Sequence, residues 1–498
     1  MMRGILSTAG YVPHWRLDRG EIASFFGTGG GRGTRAVASY DQDTTTLGVE
    51  AARLALRGAG EIAPGALWFA TASPAYLDKT NAAAIHAALR LDADMPALDF
   101  GGAIRSGVGA LGAALRSDGS VLVVAADQRD GRPTSADEAG AGDGAAAVLV
   151  GSDADGPLLA ELLAVHSVTE ELIDRWRIPG SGISGQWEER FGEQVYVPLV
   201  ERAWKAALET AGLASEEVGT VVVTGGHARA VRSARAKLGV AREAFGDDLT
   251  ATVGWTGAAH PALVLAAALE GAAAGDVVAL VAIGDGVDVI ALRATDALAA
   301  WAPPRPVAGQ VTACAPLPYG KFLSWRGSVT LEPPRRPEPG RISASIASRR
   351  DDWKYGFVGS RDESSGALHL PPARVSREGG ALDEMSPAPM SDVEGTIAAF
   401  TVDRIAYSQS PPIVFAVVDF DGGGRLPIEL TDVLADGVRM GDRVEMTFRR
   451  LFSAEGIHNY FWKARPIRAA ASEGPATRSG AVAGGRDGGT EPAPNEGS

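Results

Sequence analysis

The sequence predicts an α/β fold made of a duplicated unit, followed by a small all-β barrel. Val/Ala runs such as VLVVAAD (121–127) and VVVTGGH (221–227) are typical of strands buried on both faces, which helices must cover. The order of strand, Gly turn, Ala-rich helix and closing strands occurs twice, so Ile104 corresponds to Trp255 at an offset of about 150 residues. Short β segments separated by Gly/Asp turns in 393–466 predict the barrel.

The elements of the duplicated unit follow one another in the same order in both halves. Each half has buried strands, a Gly turn that feeds a helix, and a closing strand. The predicted strands lie at 67–73, 96–100, 121–127 and 142–151 in the first half, and at 221–227 and within 276–292 in the second half.

Composition shifts divide the chain into five segments. Proline-dense stretches mark a connector, and a tail rich in Gly, Ala, Pro and Ser without apolar periodicity is expected to be disordered. The predicted segments are 1–300 (α/β domain), 301–345 (connector), 346–392 (a small segment before the barrel), 393–466 (barrel) and 467–498 (tail).

Charge and cysteine content exclude several function classes. The net charge of −14, from 61 acidic and 47 basic residues, argues against nucleic-acid binding, which depends on phosphate neutralisation. The single cysteine, Cys314, cannot form an internal disulfide or a cysteine-based zinc site. Because no segment reaches the roughly 18 apolar residues of a membrane span and no cleavage signature is present, a cytoplasmic protein is expected.

The segment PALDFGGAIRSGVGALGAAL (96–115) predicts a strand, a turn of small residues and a helix. Such a turn holds a side chain at the positive end of a helix, where a thiol ionises easily and anions bind. Ile104 occupies that place, and an isoleucine can neither attack a carbonyl nor accept a proton. Its side chain is expected to fill core space.

Residues 1–300 resemble the thiolase superfamily, and within it the 3-hydroxy-3-methylglutaryl-CoA synthase and ketoacyl synthase III group. The motifs that carry the resemblance are YVPHWRL, DQDTTTLGVEAARLAL (41–56), the turn and helix of 96–115, SADEAGAGDGAAAVLVG (135–151) and VGWTGAAHPALVLAAALE. The resemblance implies a duplicated thiolase-like αβαβα domain, a coenzyme A thioester as ligand or substrate, and pairing as a homodimer or as a heteromer with a thiolase.

The resemblance also implies which positions carry catalysis in the family. The acyl-bearing cysteine corresponds to Ile104, the glutamate to Ala72 and the asparagine to Trp255, so three catalytic positions have been replaced. Only the family's histidine has a counterpart, His227 in VTGGHARA, which is either a proton carrier or a loop histidine. Trp255 either narrows the pocket or stacks on a ligand.

Residues 315–466 resemble the DUF35 acyl-CoA-associated family, a rubredoxin-like zinc ribbon followed by an OB fold. YGKFLSWRG, DWKYGFVGSR, LPPARV and YFWKARP carry this resemblance. Zinc ribbons need four soft ligands. The corresponding positions in 346–392 hold Asp362, Ser365, Ser376 and Gly379, so the ribbon is degenerate and no zinc is expected.

Several charged residues have two interpretations. Asp127 and Asp143 at strand ends either hydrogen-bond their turns or take part in catalysis. The basic connector residues either contact coenzyme A phosphates or pair with acidic neighbours. These residues are Lys321, Arg326, Arg335 and Arg336.

Together these observations predict a non-condensing member of the synthase family that binds acyl-CoA or assembles with a thiolase. The alternative is an aldolase or retro-aldolase acting on CoA thioesters with His227 as proton carrier, because that chemistry needs no acyl-cysteine. Ordinary hydroxymethylglutaryl-CoA synthase activity is the least favoured reading.

Overall fold

The computed structural model describes residues 1–187 and 189–467, and the first domain is a nine-stranded mixed sheet flanked by helices. Its strands, with the small two- and three-stranded sheets beside it, are β1 (Arg3–Tyr11), β2 (Trp15–Asp18), β3 (Thr34–Val37), β4 (Ala66–Thr71), β5 (Ala97–Gly101), β6 (Val121–Asp127), β7 (Gly144–Ser152), β8 (Ala160–Thr169), β9 (Arg175–Trp176), β10 (Gly185–Gln186), β11 (Thr220–Gly225), β12 (Val277–Ile283) and β13 (Gly286–Ala294). The helices are α1 (Gly20–Phe26), α2 (Thr44–Ala59), α3 (Ala82–Leu89), α4 (Ser106–Arg116), α5 (Ala136–Gly140), α6 (Glu189–Ala211), α7 (Ala228–Arg235), α8 (His260–Glu270) and α9 (Asp296–Ala300).

The duplication is visible in the strand pairing. In the first half β4 pairs parallel with β6, which pairs antiparallel with β7. In the second half β11 pairs parallel with β12, which pairs antiparallel with β13. A short pairing between β1 and β8 joins the halves into the strand order β11-β12-β13-β8-β1-β7-β6-β4-β5. The predicted duplicated α/β architecture is confirmed.

The helices form three layers: one on the outer side of each half, and one between the two halves. Helix α2 packs on β1, β6 and β7, and α6 packs on β8 and β13, so these helices form the outer layers. Helices α4 and α8 contact each other, and α8 contacts both β7 and β11. They therefore form the layer between the halves, and the turns that lead into them meet there.

Part of the connector folds onto the first domain. It contains α10 (Val307–Thr312), β14 (Ala315–Pro316) and α11 (Tyr319–Trp325), and β14 pairs with β2. Tyr319 and Phe322 are buried there. Apolar side chains between the proline-rich stretches account for this order.

The C-terminal region is a small three-stranded sheet followed by a closed five-stranded barrel of order β18-β19-β20-β22-β21, which confirms the predicted barrel. The elements are α12 (Ala344–Ser348), α13 (Asp351–Lys354), β15 (Val358–Asp362), β16 (Leu368–His369), β17 (Met385–Pro389), β18 (Gly395–Asp403), β19 (Ile413–Phe420), β20 (Arg425–Leu430), β21 (Arg443–Ala454) and β22 (Ile457–Pro466). The predicted tail lies outside the described residues from position 468 onward.

Buried ion pairs join the barrel to the first domain. Asp41 contacts Arg449 at 3.1 Å and Lys463 at 3.0 Å, and all three side chains are fully buried. A second part of the junction centres on Glu50, which lies 3.0 Å from Arg465. We call this set the junction network; it comprises Asp41, Glu50, Arg53, Glu429, Asp432, Glu445, Arg449, Lys463 and Arg465.

Across the described part of the chain, no helix combines the length and the apolar character needed to cross a bilayer.

Candidate active site

Three of the positions singled out from the sequence line one small cavity of about 100 Å³. Ala72 follows β4 directly, Ile104 lies in the turn between β5 and α4, and His227 follows β11 at the start of α7. Since β4 and β11 are equivalent strands of the two halves, their ends meet at the same place. The duplication therefore brings residues more than 150 positions apart to one cavity.

Ile104 is the side chain that the β5–α4 turn presents to this cavity. A Cβ added at Gly284 would lie 3.3 Å from Ile104 Cδ1, so the isoleucine packs against the β12–β13 turn. The turn itself is fixed by the next residue, because Arg105 Nε donates a hydrogen bond of 2.7 Å to Asp288. Ile104 offers only hydrocarbon at the start of α4.

Trp255 lies beside the cavity and is almost completely buried, at 8% exposure. Its ring approaches the backbone at Gly226 so closely that a Cβ there would lie 2.8 Å from the indole. The guanidinium carbons of Arg129 and Arg175 lie 5.2 and 5.3 Å from the ring centroid. Cation–π contacts of this kind contribute about 0.5–2 kcal/mol each. Trp255 packs against two protein cations beside the cavity, and its role in narrowing the pocket or in stacking on a ligand stays a prediction.

His227 caps α7 through its ring. Nδ1 accepts a hydrogen bond of 3.2 Å from the Ala230 amide, which leaves the neutral ring's proton on Nε2. Nε2 is buried and has no hydrogen-bond partner. The ring packs against Gly192, where a Cβ would lie 2.5 Å from Nε2, and against Tyr196. His227 therefore holds an unused N–H at the edge of the cavity.

Arginines around this cavity were not recognised in the sequence. Arg175 and Arg177 come from the β9–β10 hairpin, and Arg129 follows β6. Arg177 donates to the carbonyl of Ala72, and Arg175 makes two hydrogen bonds, of 2.8 and 2.6 Å, to Asp137. Burial lowers the pKa of Arg129. No local motif marks these residues, because each acts through a partner distant in the chain.

Asp127 and Asp143 bind protein groups with both of their oxygens. Asp127 accepts hydrogen bonds from Thr71 Oγ1 and from the amides of Ala72 and Ala258. Burial raises the pKa of Asp127. These contacts fit the interpretation in which Asp127 hydrogen-bonds the turns around it.

Asp143 is fully buried and has cationic partners on both sides. It lies 3.6 Å from Arg35 and is also contacted by Arg326, the residue that follows α11. Its oxygens accept hydrogen bonds from the amides of Ala38 and Arg129. Asp143 therefore holds the connector helix to the first domain.

The basic connector residues mostly have protein partners. Arg326 pairs with Asp143 and Arg336 pairs with Asp403 at 3.1 Å. The Lys321 ammonium lies 5.6 and 5.2 Å from the ring centroids of Trp15 and Trp325. These contacts fit the interpretation in which the basic connector residues bind protein groups instead of coenzyme A phosphates.

A second cleft, of about 440 Å³, opens beside Trp255 and shares Arg175 and Gly226 with the small cavity. Five arginines line it: Arg19, Arg32, Arg175, Arg232 and Arg235. Among the described residues, no carboxylate forms an ion pair with Arg19, Arg32 or Arg232, whereas Arg175 and Arg235 pair with Asp137 and Asp248. Uncompensated guanidinium groups at a cleft suit a phosphorylated ligand.

The positions that correspond to the four zinc ligands of the ribbon hold Asp362, Ser365, Ser376 and Gly379. Asp362 is fully buried and accepts hydrogen bonds from the Ser364 and Ser365 hydroxyls at 2.8 and 2.6 Å. Hydrogen bonds from Ser365, Ser376 and Ser364 hold the pKa of Asp362 well below its usual range. Gly379 supplies no side-chain ligand. Within the described ranges, no cluster of three or more His, Cys, Asp or Glu side chains is suited to a metal. The residues present do not fit zinc.

We predict that this ribbon is held by hydrogen bonds to Asp362 instead of by metal. Dialysis against a chelator should leave the thermal unfolding midpoint unchanged, whereas Asp362→Ala should lower it, because the Ser364 and Ser365 hydroxyls lose their buried acceptor. Asp383→Ala, which removes an exposed pair with Arg374, is the matched control. Stoichiometric zinc in the purified protein, or a chelator-induced fall in the midpoint, would contradict the prediction.

Comparison with known proteins gives the family. A hydroxymethylglutaryl-CoA synthase of Pyrococcus furiosus is 30% identical over 293 residues, covering 57% of this chain and 83% of that protein. One from Pyrobaculum aerophilum is 31% identical over 299 residues, covering 57% and 84%. The chain belongs to the hydroxymethylglutaryl-CoA synthase family. In this family member the 3-oxoacyl-[acyl-carrier-protein] synthase III C-terminal model matches residues 208–294, and the ChsH2 C-terminal OB-fold model matches 388–449.

Solved structures agree on the fold of this synthase-family chain. An HMG-CoA synthase complexed with CoA gives a TM-score of 0.56 at 17% identity, covering 69% of this chain and 95% of that one. The 3-oxoacyl-(acyl carrier protein) synthase III of Pseudomonas aeruginosa gives 0.52 at 22% identity, covering 59% and 99%. The predicted thiolase-like domain fused to an OB-fold domain is confirmed.

Proposed function

We propose that this synthase-family chain binds a CoA thioester without forming an acyl-enzyme and acts as a non-condensing subunit. The observation that carries the proposal is Ile104, a hydrocarbon side chain at the start of α4 where acyl transfer needs a nucleophile. Ala72 supplies no carboxylate for proton transfer, and Trp255 supplies no amide for an oxyanion.

The size of the cavity supports the same proposal. Its volume of about 100 Å³ is below the roughly 300–1,000 Å³ of ordinary small-molecule sites. Arg129 and Arg175 line this cavity and pack on Trp255 beside it. A cavity this small leaves little room for the acyl groups that a condensation must hold.

The neighbouring cleft would hold the phosphates of the CoA ligand. Arg19, Arg32 and Arg232 supply guanidinium groups that form no ion pair with a described carboxylate, and Arg32 and Arg232 are exposed. Hydrogen bonds from guanidinium groups to phosphate are charge-assisted and are often bidentate. The fold relative solved with CoA bound supports CoA as the ligand to test.

The proposal predicts saturable CoA binding without a covalent product. Arg32→Ala and Arg232→Ala should each weaken CoA binding about ten- to hundred-fold in calorimetry, since hydrogen bonds to charged groups contribute about 1.5–3 kcal/mol. Arg229→Ala is the matched control on α7, because that side chain pairs with Glu193 and lies outside the cleft. Intact mass should stay unchanged after incubation with acetyl-CoA. An acyl adduct, or full CoA affinity in both cleft variants, would overturn the proposal.

The retro-aldol alternative is favoured by one feature, the unpartnered Nε2–H of His227 at the cavity edge. A group of this kind can move a proton without an acyl-cysteine. In the same assays, carbonyl release from a hydroxyacyl-CoA that disappears in His227→Ala would support the alternative. Unchanged substrate in the wild type supports the non-condensing subunit.

We also propose that the chain pairs with a second thiolase-fold subunit through β5, in the cytoplasm. This strand ends the nine-stranded sheet, and its backbone edge has no partner strand in the described chain. Leu98 on β5 is 50% exposed. Exposed sheet edges are templates for pairing.

A further inference from the structure

A cavity of about 710 Å³ lies where the first domain, α12 and the β21–β22 hairpin meet. It is separate from the small cavity and the arginine cleft, with which it shares no lining residue. Its volume falls within the roughly 300–1,000 Å³ typical of sites for drug-sized ligands. Neither the proposed CoA binding nor the junction network uses it.

Part of the lining of this cavity is apolar. The side chains that form it include Ala84 of α3, Ala347 of α12, and Phe452 and Ile457 of the hairpin. Tyr355 and Tyr460 add aromatic surface. A surface of this composition is suited to an apolar chain or ring system.

The charges at the cavity have one sign. Lys79, Arg341 and Lys354 line it, and no Asp or Glu does. Arg341 forms an exposed pair with Glu455 at 3.4 Å, whereas the Lys79 and Lys354 ammonium groups pair with no described carboxylate within 4.0 Å. The cavity therefore favours an anion.

Asn459 of β22 also lines the cavity, but its Oδ1 is shielded from it. The side chain is 8% exposed, and Oδ1 is a buried atom that an occupant of the cavity does not reach. Recognition of an occupant therefore depends on the apolar lining and on the two lysines.

We propose that this interdomain cavity binds an apolar carboxylate, such as a fatty acid. The carboxylate contacts Lys79 and Lys354, and the chain contacts the apolar lining. The site is independent of the arginine cleft, so it stands or fails apart from CoA binding.

The test uses the full chain and calorimetry with dodecanoate and dodecylamine. Dodecanoate should bind about tenfold more tightly than dodecylamine, because only the acid can accept charge-assisted hydrogen bonds from the lysines. Lys79→Glu with Lys354→Glu should abolish this preference for the acid over the amine.

Ala347→Trp, which fills the cavity from α12, should abolish acid binding, whereas Ala214→Trp at an exposed position outside it should not. CoA affinity and the thermal midpoint, measured on the same variants, should match the wild type, which separates a blocked site from misfolding. Absence of saturable dodecanoate binding, equal binding of dodecanoate and dodecylamine, or unchanged dodecanoate binding in Ala347→Trp would overturn the proposal.

Discussion

Asp41→Ala should destabilise the protein by about 3–5 kcal/mol, because Arg449 and Lys463 each lose one of their two buried carboxylate partners. Asp41 is the shared partner of Arg449 and Lys463, and it also accepts a 2.8 Å hydrogen bond from Thr431. In the variant, two buried cations of the barrel face an apolar methyl group. Chemical denaturation, read as the midpoint at constant slope, measures the change.

The matched control is Asp421→Ala, which breaks an exposed pair with Arg443 on the barrel surface. Exposed pairs contribute little because water screens them, so this variant should unfold close to the wild type. Equal midpoints for Asp41→Ala and Asp421→Ala would contradict a stabilising role of the junction network.

The same network gives stability a pH dependence. Burial alone would raise the pKa of Glu445, but Arg465 and Arg305 outweigh it and lower the pKa to about 2. Burial alone would also raise the pKa of Asp41, but Lys463 and Arg449 outweigh burial and leave this pKa below its usual range. Since these folded-state pKa values lie below the unfolded values of about 4, the stabilisation is complete above that pH and is lost as pH falls. Asp41→Ala should therefore show a shallower loss of stability below pH 5 than the wild type.

Asp143→Ala should cost a similar amount, about 3–5 kcal/mol, through loss of the partner of two buried arginines. Arg35 is fully buried beside Asp143, and Arg326 is 5% exposed in its side chain. The amides of Ala38 and Arg129 also lose their acceptor. The unfolding midpoint, compared with that of the exposed-site variant Asp118→Ala, measures the effect.

Asp143→Asn should recover part of that stability, because an amide still accepts from one backbone N–H while its charge is lost. CoA affinity at matched fraction folded should stay at the wild-type value in both Asp143 variants. Loss of ligand binding without loss of stability would assign Asp143 to the site instead of to the fold.

The sequence was informative where structure depends on local pattern. The buried strand predicted at 121–127 is β6 over the same residues, and the predicted barrel 393–466 contains β18 to β22. Ala72, Ile104 and His227 meet at one cavity because equivalent strands of a duplicated fold end together. Whether these positions have the proposed roles remains a prediction.

The sequence did not predict the contacts between residues that are far apart in the chain. Arg449 and Asp41 are 408 residues apart, and no periodicity connects them. The arginines stacked on Trp255 were missed for the same reason. The order of α10 and α11 was hidden by the prolines around them, although Tyr319 and Phe322 supplied an apolar signal.

The charged junction has a consequence for chimeric proteins. An apolar interface tolerates small shifts of register and the exchange of one apolar side chain for another. An interface of buried ion pairs accepts only a partner that places complementary charges at matching positions. A barrel transplanted from a relative would dock correctly only if Asp41 and Glu50 met equivalents of Lys463, Arg449 and Arg465. Domain grafts should therefore exchange the acidic side of the junction on the first domain and the basic side on the barrel at once.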